Sequence, residues 1–192
     1  MKKRLVVGVS GASGAPLAVE LLRALQANPE VETHLILTRG GEMTLRQEMG
    51  LTAADISALA DFTHDNANIG AAPASGSWKS LGMVVCPCSM KTVAGIVSGY
   101  SDNLLLRAAD CMLKERRKLV LVARESPLST LHLENLCKAS RYGAVILPPM
   151  QTTRKPAGNL RTSIFPAMCG INCAWLSLPL KATRSSRSMW RL

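Results

Sequence analysis

RLVVGVSGASGAPLAVELLRALQ, residues 4–26, is the stretch that decides the fold of this chain. Its apolar start has no clean alternation, which is typical of a strand buried on both faces. Gly8, Gly11 and Gly14 follow at three-residue spacing, and a backbone without Cβ atoms can turn sharply there and approach a ligand closely. Pro16 suits the first turn of a helix. The stretch therefore predicts a strand, a glycine-rich turn and a helix.

The N-terminus of this predicted helix is suited to bind a phosphate, because it offers unpaired N–H groups and partial positive charge. Ser10 and Ser13 add hydroxyl groups that can bond phosphate oxygens. The spacing G-x-x-G-x-x-G differs from the dinucleotide fingerprint G-x-G-x-x-G. Two interpretations remain open at this point: a nucleotide or flavin phosphate site, or a tight strand–helix turn without a ligand.

The composition indicates a globular chain with surplus apolar surface. Of 192 residues, 47% are hydrophobic and only 19% are charged, with a mean hydropathy of +0.14. Surplus apolar surface often lies in subunit interfaces, so we expect a homo-oligomer. No apolar run approaches the roughly 20 residues of a membrane span, and the N-terminus lacks the long apolar core of a signal peptide. We expect a cytoplasmic protein with no membrane partner.

The six cysteines and the uneven charge bear on possible metal and nucleic-acid partners. The pairs C-x-C and C-x3-C lack zinc-site spacing, so we expect free thiols and no metal. Residues 1–150 carry 16 Lys or Arg and 13 Asp or Glu, whereas residues 151–192 carry seven and none. The basic tail is open to three interpretations: a solvated terminus, a nucleic-acid or phosphate binder, or a shifted reading frame. We expect no nucleic-acid partner.

Short β-branched runs alternate with helical patterns over residues 1–150, which predicts one α/β domain. We expect a Rossmann-like three-layer αβα sandwich with a parallel sheet, followed by an atypical basic tail over residues 151–192. The five predicted strands cover residues 5–9, 31–37, 83–86, 119–123 and 144–147.

Several boundaries follow from local patterns. Pro87 is expected to end the third strand, and the polar stretch 62–80 predicts a loop. Asp102 is expected to cap a long helix that runs to Arg117. The sequence TAAD, residues 52–55, predicts a capping box that opens a further helix.

Polar side chains follow the predicted strands. Since ligands bind at the carboxyl ends of parallel strands, the segments after four strands belong together: residues 11–13, 38–39, 88–91 and 124–125. Their hydroxyls and cations favour an anionic ligand. Thr38 and Arg39 stand where an NAD enzyme carries an acidic residue, which disfavours NAD and leaves NADP or a mononucleotide such as FMN.

Four motifs carry a family resemblance: GVSGASGAP, CPCSMKTVAGIVSGY, RAADCMLKERRKLVLVARESPLSTLHLENL and VILPPM. In this combination, from about residue 4 to residue 150, the chain resembles the flavin prenyltransferases of the UbiX and Pad type, formerly named aromatic-acid decarboxylases. The resemblance implies a Rossmann-like subunit that binds FMN non-covalently in a dodecamer of trimers. The implied reaction joins a dimethylallyl group from dimethylallyl phosphate to N5 and C6 of reduced FMN, and a UbiD-type decarboxylase uses the product.

The resemblance also implies site residues at the matching motif positions. FMN is expected to contact Gly11, Ala12, Ser13, Thr38, Ser89, Met90, Lys91, Thr92 and Arg124. The prenyl-phosphate side is expected to comprise Ser75, Gly76, Arg107, Lys114, Arg124, Glu125 and Glu48, of which Glu48, Lys114 and Glu125 take catalytic roles.

The chemistry suits these residue types. Cations such as Lys114 and Arg124 can stabilise the charge of a leaving phosphate, and a carboxylate such as Glu125 can relay a proton. Trp78 offers a π face to an allylic cation. Each residue also has an ordinary interpretation: Lys114 as a solvated helix end, Arg124 and Glu125 as a surface pair, Cys88 as core, and Trp78 as an interface anchor.

The resemblance stops after Met150. The tyrosine that the family places next is missing, with Arg154 or Lys155 nearby, and the acid-free composition through Leu192 indicates a shifted reading frame. Arg161 is a candidate for the family's C-terminal cation. The alternatives to prenyl transfer are a direct FMN-dependent aromatic-acid decarboxylase, a non-catalytic FMN carrier and an NADP-binding reductase.

Overall fold

A computed structural model describes residues 2–149 of the chain. Six parallel strands form one sheet in the order β3-β2-β1-β4-β5-β6. This is the order of a doubly wound sheet, and the predicted α/β, Rossmann-like fold is confirmed. The strands are β1 (Lys3–Val9), β2 (Val31–Leu37), β3 (Phe62–His64), β4 (Gly82–Cys88), β5 (Lys118–Ala123) and β6 (Val145–Ile146).

Helices cover both faces of the central strands. Neighbouring side chains on β1, such as Val6 and Val7, point to opposite faces and are both fully buried. Buried residues of α4 and α5 share one core with Val6, Met83 and Leu121, whereas α1 packs with α2, β2 and β4. The helices are α1 (Ala15–Gln26), α2 (Arg39–Met49), α3 (Ala53–Ser57), α4 (Met90–Ser98), α5 (Leu104–Lys114) and α6 (Thr130–Arg141).

The stretch 62–80, predicted as a loop, contains two short elements. β3 pairs with β2 from Phe62 to His64, and a 3-10 helix spans Ala72–Ala74. The loop prediction was wrong at these positions because three residues are too few to show a periodicity of two, and edge pairing with β2 supplies the order instead. The sheet therefore has a sixth strand that the pattern does not reveal.

Pro87 does not end the third predicted strand. β4 continues through it to Cys88, the peptide between Cys86 and Pro87 is cis, and the register with β5 shifts between Val85 and Cys88. Proline is tolerated inside a sheet at such an irregularity because the missing N–H falls where the ladder is already interrupted.

The long helix predicted from Asp102 to Arg117 is shorter at both ends. Asn103 caps α5 by accepting a hydrogen bond from the Leu106 N–H at 3.1 Å, while the Asp102 carboxylate accepts one from the Asn103 amide. The helix ends at Lys114, and Arg116 adopts a left-handed φ of 53°. Such a φ cannot continue a helix of L residues.

Other local predictions are confirmed. Thr52 and Asp55 form the expected capping box at α3, and β2 spans the predicted residues 31–37. Within residues 2–149, no helix combines the length and apolar character required to cross a bilayer.

Candidate functional site

Three helices begin at the carboxyl edge of the sheet, where α1, α2 and α4 follow β1, β2 and β4. β1 and β4 are neighbours, yet the chain leaves them toward opposite sides of the sheet. This is the topological switch point, where doubly wound proteins bind ligands. Helix N-termini carry unpaired N–H groups and partial positive charge, so the edge is suited to an anion.

Ser10 ties the loops after β1 and β4 together. Its hydroxyl accepts a hydrogen bond from the Ser89 N–H at 2.8 Å and donates one to the Pro87 carbonyl at 3.1 Å. The residue is 1% exposed. Ser10 is therefore a support of the switch point, and the hydroxyl that the sequence offered for a phosphate oxygen is already engaged inside the protein.

Gly11 and Gly40 bring the loop after β1 against the start of α2. A Cβ atom at Gly11 would lie 2.9 Å from the Gly40 Cα, which is closer than real contacts of this kind. Thr38 caps α2, since its hydroxyl accepts from the Gly41 N–H at 3.1 Å and donates to the Val9 carbonyl at 3.2 Å. The expected FMN residues of β1 and β2 are therefore neighbours.

Ser89 caps α4 by accepting a hydrogen bond from the Thr92 N–H at 3.2 Å. Met90 and Thr92 are buried beneath the helix start, whereas Lys91 is exposed in its first turn. Within the SMKT motif, Lys91 is the exposed side chain. This helix start offers an anion both a cation and backbone donors.

Arg124 and Glu125 follow β5 at the same edge, and both are exposed. The Arg124 N–H donates to the Cys88 carbonyl at 3.1 Å, which joins this segment to the end of β4. The Glu125 carboxylate accepts from the Ser126 N–H at 3.0 Å. Arg124 and Glu125, which the sequence also allowed as a surface pair, form no ion pair with each other within residues 2–149, and Lys114 pairs with Glu115.

Glu48 lies at the N-terminus of α1. Its carboxylate accepts hydrogen bonds from the Gly14 N–H at 3.0 Å and the Ala15 N–H at 2.8 Å. Gly14 has a φ of 113° and no side chain to cap the helix, so a carboxylate 34 residues along the chain supplies the cap. In this conformation a side-chain anion takes the position that the sequence offered to a phosphate, next to Ser13.

The other expected substrate residues lie at the opposite edge of the sheet. Ser75 and Gly76 belong to the segment that enters β4 at its amino end, and Lys114 is the last residue of α5, just before β5. β4 has seven residues, so the two edges are about 20 Å apart at 3.3 Å per residue. One subunit does not bring the FMN set and the Lys114 set together.

Gly76 lies directly against the ion pair of Lys114 and Glu115, since a Cβ atom there would come within 2.9 Å of the Lys114 Nζ. The hydrogen bond and charge of Glu115 raise the pKa of Lys114, and Lys114 lowers the pKa of Glu115. Arg107, two turns earlier on α5, pairs with Asp110 at 2.8 Å. Lys114 is therefore a permanent cation at neutral pH.

Cys86, Cys88 and Cys111 are free and fully buried. Burial raises the pKa of the Cys86 thiol to about 12, and that of Cys88 rises as well through burial and the neighbouring Cys86. Thiols with such pKa values are not nucleophiles at neutral pH. The interpretation of Cys88 as a core residue is confirmed, and residues 2–149 hold no cluster of His, Cys, Asp or Glu that could bind a metal.

Trp78 lies in the stretch that the sequence predicted as a loop, and it is half-buried and packs against the core. Arg117, which the sequence offered only as part of a solvated helix end, donates to the carbonyls of Trp78 and Gly76. The motif LKERR contains Lys114, Arg116 and Arg117. Only the folded chain shows that Arg117 is the one that bonds to the backbone of Gly76 and Trp78. The position at which the family carries a tyrosine lies outside the described residues. The same holds for Arg154, Lys155 and Arg161.

Comparison with known proteins identifies the family. The family model described as Flavoprotein matches residues 1–163. A probable UbiX-like flavin prenyltransferase of Escherichia coli O157:H7 is 54% identical over 147 residues, which are 77% of this chain and 75% of that protein.

Two solved structures share the fold at high identity. A crystal structure of AnUbiX (PadA1) in complex with FMN and dimethylallyl pyrophosphate aligns with a TM-score of 0.87 and 42% identity, over 94% of this chain and 95% of that one. A dodecameric FMN-dependent UbiX-like decarboxylase from Escherichia coli O157:H7 aligns with a TM-score of 0.85 and 46% identity, over 91% and 94%. The chain therefore belongs to the flavoprotein family and, within it, to the UbiX-like flavin prenyltransferases.

Proposed function

We propose that this protein is a flavin prenyltransferase, which joins the dimethylallyl group of dimethylallyl phosphate to reduced FMN. The observation that carries the proposal is the convergence of the glycine-rich turn after β1 with the starts of α2 and α4 at the switch point of the sheet. Its relatives support the reaction class, since the 54% identical protein is named as a UbiX-like flavin prenyltransferase and the PadA1 structure holds FMN and dimethylallyl pyrophosphate.

The carboxyl edge fits FMN. The N-termini of α2 and α4, with Lys91 exposed in the first turn, offer N–H donors and a cation to a flavin phosphate. We expect FMN to contact the residues that the motifs indicate: Gly11, Ala12, Ser13, Thr38, Ser89, Met90, Lys91, Thr92 and Arg124. When bound and reduced, FMN supplies the ring atoms N5 and C6 that accept the prenyl group.

Two subunits complete the site in this proposal. Lys114, Ser75 and Gly76 stand about 20 Å from the carboxyl edge of their own subunit, so a neighbouring copy has to present them to the flavin. The UbiX-like decarboxylase with the same fold is described as dodecameric. We propose a homo-oligomer, a dodecamer by analogy, with each flavin at a subunit boundary.

The side chains can carry out the transfer without a metal. Lys114 and Arg124 place positive charge where the departing phosphate accumulates negative charge. Glu125 is exposed beside Arg124 and can hold or deliver a proton at a phosphate oxygen. Glu48 can do so at the N-terminus of α1, while Arg107, Ser75 and Gly76 contribute to phosphate binding.

The recipient and the compartment belong to the same proposal. Prenylated FMN serves a UbiD-type decarboxylase that acts on aromatic acids. Within residues 2–149, three buried free thiols and one exposed free thiol support a reducing compartment such as the cytoplasm. We also propose that residues 1–150 form the flavin-binding domain and that residues 151–192 derive from a shifted reading frame, which resequencing of the last codons would decide.

Anaerobic single-turnover spectroscopy tests the function. Reduced FMN bound to the protein is mixed with dimethylallyl phosphate, and the flavin spectrum should change to that of a prenylated product whose mass includes the dimethylallyl group. An unchanged flavin mass would overturn the proposal, and release of CO2 from an aromatic acid by the protein alone would establish the decarboxylase. Light scattering should give a mass well above the 20.6 kDa of one chain.

A further inference from the structure

Arg117 joins the end of α5 to the segment before β4. Its Nη1 donates to the Trp78 carbonyl at 2.7 Å, and its Nη2 donates to the Gly76 carbonyl. These two acceptors are 39 and 41 residues away in sequence. A planar guanidinium fork matches two such oxygens, whereas an ammonium can address them only as a point charge. Arg117 therefore sets the backbone path of residues 76–78.

The indole of Trp78 is held from the other side. The Arg4 guanidinium lies 5.2 Å from the ring centroid, and the His34 ring packs edge-on with its centroid 4.7 Å from that of the indole. His34 is itself bonded to Glu32 at 3.0 Å and to His64 at 2.9 Å. Arg117 holds the carbonyl of Trp78, and this cluster packs around its ring, so both ends of the residue are oriented by contacts.

The same segment touches the cation that the proposed function uses. Gly76 leaves no room for a Cβ atom beside the Lys114 ammonium and the Glu115 carboxylate. A shift of the Gly76 backbone therefore changes the space around Lys114. Arg117 controls that backbone, and its own side chain is occupied by the two carbonyls.

We propose that Arg117 is a positioning residue for prenyl transfer. By holding the carbonyls of Gly76 and Trp78, it keeps the Lys114 ammonium and the Trp78 indole at a fixed spacing on the surface that receives the prenyl phosphate. The inference rests on the proposed function, because it assigns that surface to the substrate. Arg117 itself needs no contact with FMN or with the phosphate.

The test compares Arg117→Gln with Arg116→Gln. Both variants remove one positive charge from the same turn, but the Arg116 side chain is exposed and forms no polar contact with the described residues. We expect Arg117→Gln to raise the KM for dimethylallyl phosphate at least about tenfold, the factor that loss of a charge-assisted hydrogen bond gives. The Kd for FMN should stay within about twofold of the wild type, since Arg117 bonds to Trp78 and Gly76, which are not among the residues expected to hold FMN. Arg116→Gln should behave as the wild type.

Hydrogen exchange provides a readout that does not depend on activity. The N–H groups of Trp78 and Ser75 donate to the Ser75 and Ala72 carbonyls at 3.3 and 3.1 Å. Both should exchange faster in Arg117→Gln than in Arg116→Gln, because the loop opens more often without the two hydrogen bonds from Arg117. If the wild type fails to prenylate FMN, the proposed function is wrong. The exchange comparison still shows whether Arg117 orders the loop.

Arg117→Lys separates positioning from stability. It retains the charge but can bond only one carbonyl well, so we expect a KM between those of the wild type and Arg117→Gln. If Arg117→Gln does not fold, the KM of Arg117→Lys is compared with that of the wild type instead. A wild-type KM in folded Arg117→Lys and Arg117→Gln, or a lowered melting temperature with unchanged kinetics, would overturn the inference.

Discussion

The two edges of the sheet obtain their order in different ways. At the carboxyl edge, Thr38 and Ser89 each cap the helix that follows their own strand, through bonds to residues three positions away. At the amino edge, Arg117 reaches back 39 and 41 residues to hold the Trp78 and Gly76 carbonyls. Local sequence therefore specifies the helix starts at the carboxyl edge, whereas the position of the Lys114 cation depends on contacts across the folded chain.

The carboxyl edge also has two long-range supports. Ser10 joins Ser89 across 79 residues, and Glu48 reaches α1 across 34. These bonds place the local caps relative to one another and set the charge beside Ser13. Under the proposed function, substitutions at this edge affect flavin binding, whereas substitutions at the other edge affect substrate chemistry.

The largest effect is expected from Ser13→Glu. The new carboxylate would stand in the exposed turn next to the Glu48 carboxylate and would repel a phosphate. Two unit charges about 4 Å apart near a protein surface repel by about 4 kcal/mol, so FMN affinity should fall more than about a hundredfold. Fluorescence titration measures it, with Ser140→Glu on the exposed face of α6 as control. A purified variant that keeps its yellow colour would contradict this placement.

Lys114→Met should spare FMN and impair transfer. The change removes the charge at the amino edge and retains most of the side-chain volume. A single group that stabilises developing negative charge contributes about 10²–10³-fold to the rate, so single-turnover prenylation should slow by roughly that factor. Lys138→Met, on exposed α6, controls for the loss of one positive charge. Loss of FMN from the Lys114 variant would place this residue in the flavin site.

Mixed oligomers sharpen the same comparison. Subunits with Ser13→Glu still carry Lys114, and subunits with Lys114→Met still carry an intact flavin edge. If neighbouring copies share each site, refolding the two variants together should restore about a quarter of the wild-type activity by random pairing. Activity no higher than the sum of the separate variants would show that one subunit supplies both parts.

Glu125→Gln tests proton handling at the carboxyl edge. The substitution keeps the shape of the side chain and removes its charge, so FMN should stay bound. General acid–base catalysis contributes about 10²–10⁴-fold, and we expect prenyl transfer to slow at least tenfold. Single-turnover spectroscopy of reduced FMN with dimethylallyl phosphate measures the rate. Loss of FMN would make Glu125 structural, and a normal rate would assign the proton role elsewhere, with Glu48 the next candidate.

The smallest effect concerns pH and the cluster beside Trp78. Burial, together with the charge of His34, lowers the pKa of His64 below its usual 6.5. As pH falls through 6.5, the unfolded chain takes up a proton before the folded one, so stability is full above 6.5 and decreases toward the folded pKa. The slope stays below about 1.4 kcal/mol per pH unit for one group.

Urea unfolding at about pH 7.5 and about pH 5.5 measures this decrease. His64→Gln should reduce the difference in stability between the two pH values, whereas His132→Gln, at a partly exposed residue of the α6 capping box, serves as a histidine control. An unchanged pH dependence in the His64 variant would assign the decrease to other groups.

Much of the fold follows from local patterns. β2 and the α3 capping box lie where the sequence predicts them, because seven residues of β propensity and a four-residue cap are complete within one short window. β3 and the passage of β4 through Pro87 were not predictable in this way. Their order comes from pairing with neighbouring strands, and a three-residue edge strand has too short a pattern to stand out.

In the candidate site, too, local features could be predicted and long-range contacts could not. The hydroxyl, glycine and cation positions at the strand ends could be predicted, because in a parallel sheet those ends must meet at one edge. The capping of α1 by Glu48, the two carbonyl bonds of Arg117 and the pairing of Lys114 with Glu115 could not be predicted. Their roles depend on which side chain reaches which backbone group, and spacing along the chain does not report that.

The sequence by itself determined the class of this protein: the G-x-x-G-x-x-G turn after a buried strand, the alternation of strands and helices, and the motifs of the flavin prenyltransferases. Only the tertiary structure decided that the buried Ser10 joins the loops after β1 and β4, that Glu48 caps α1, and that Lys114 lies at the edge opposite Ser13. The physical reason is the range of the interactions. Helix caps and turns form within a few residues, whereas the position of a charge depends on every strand between it and its partner.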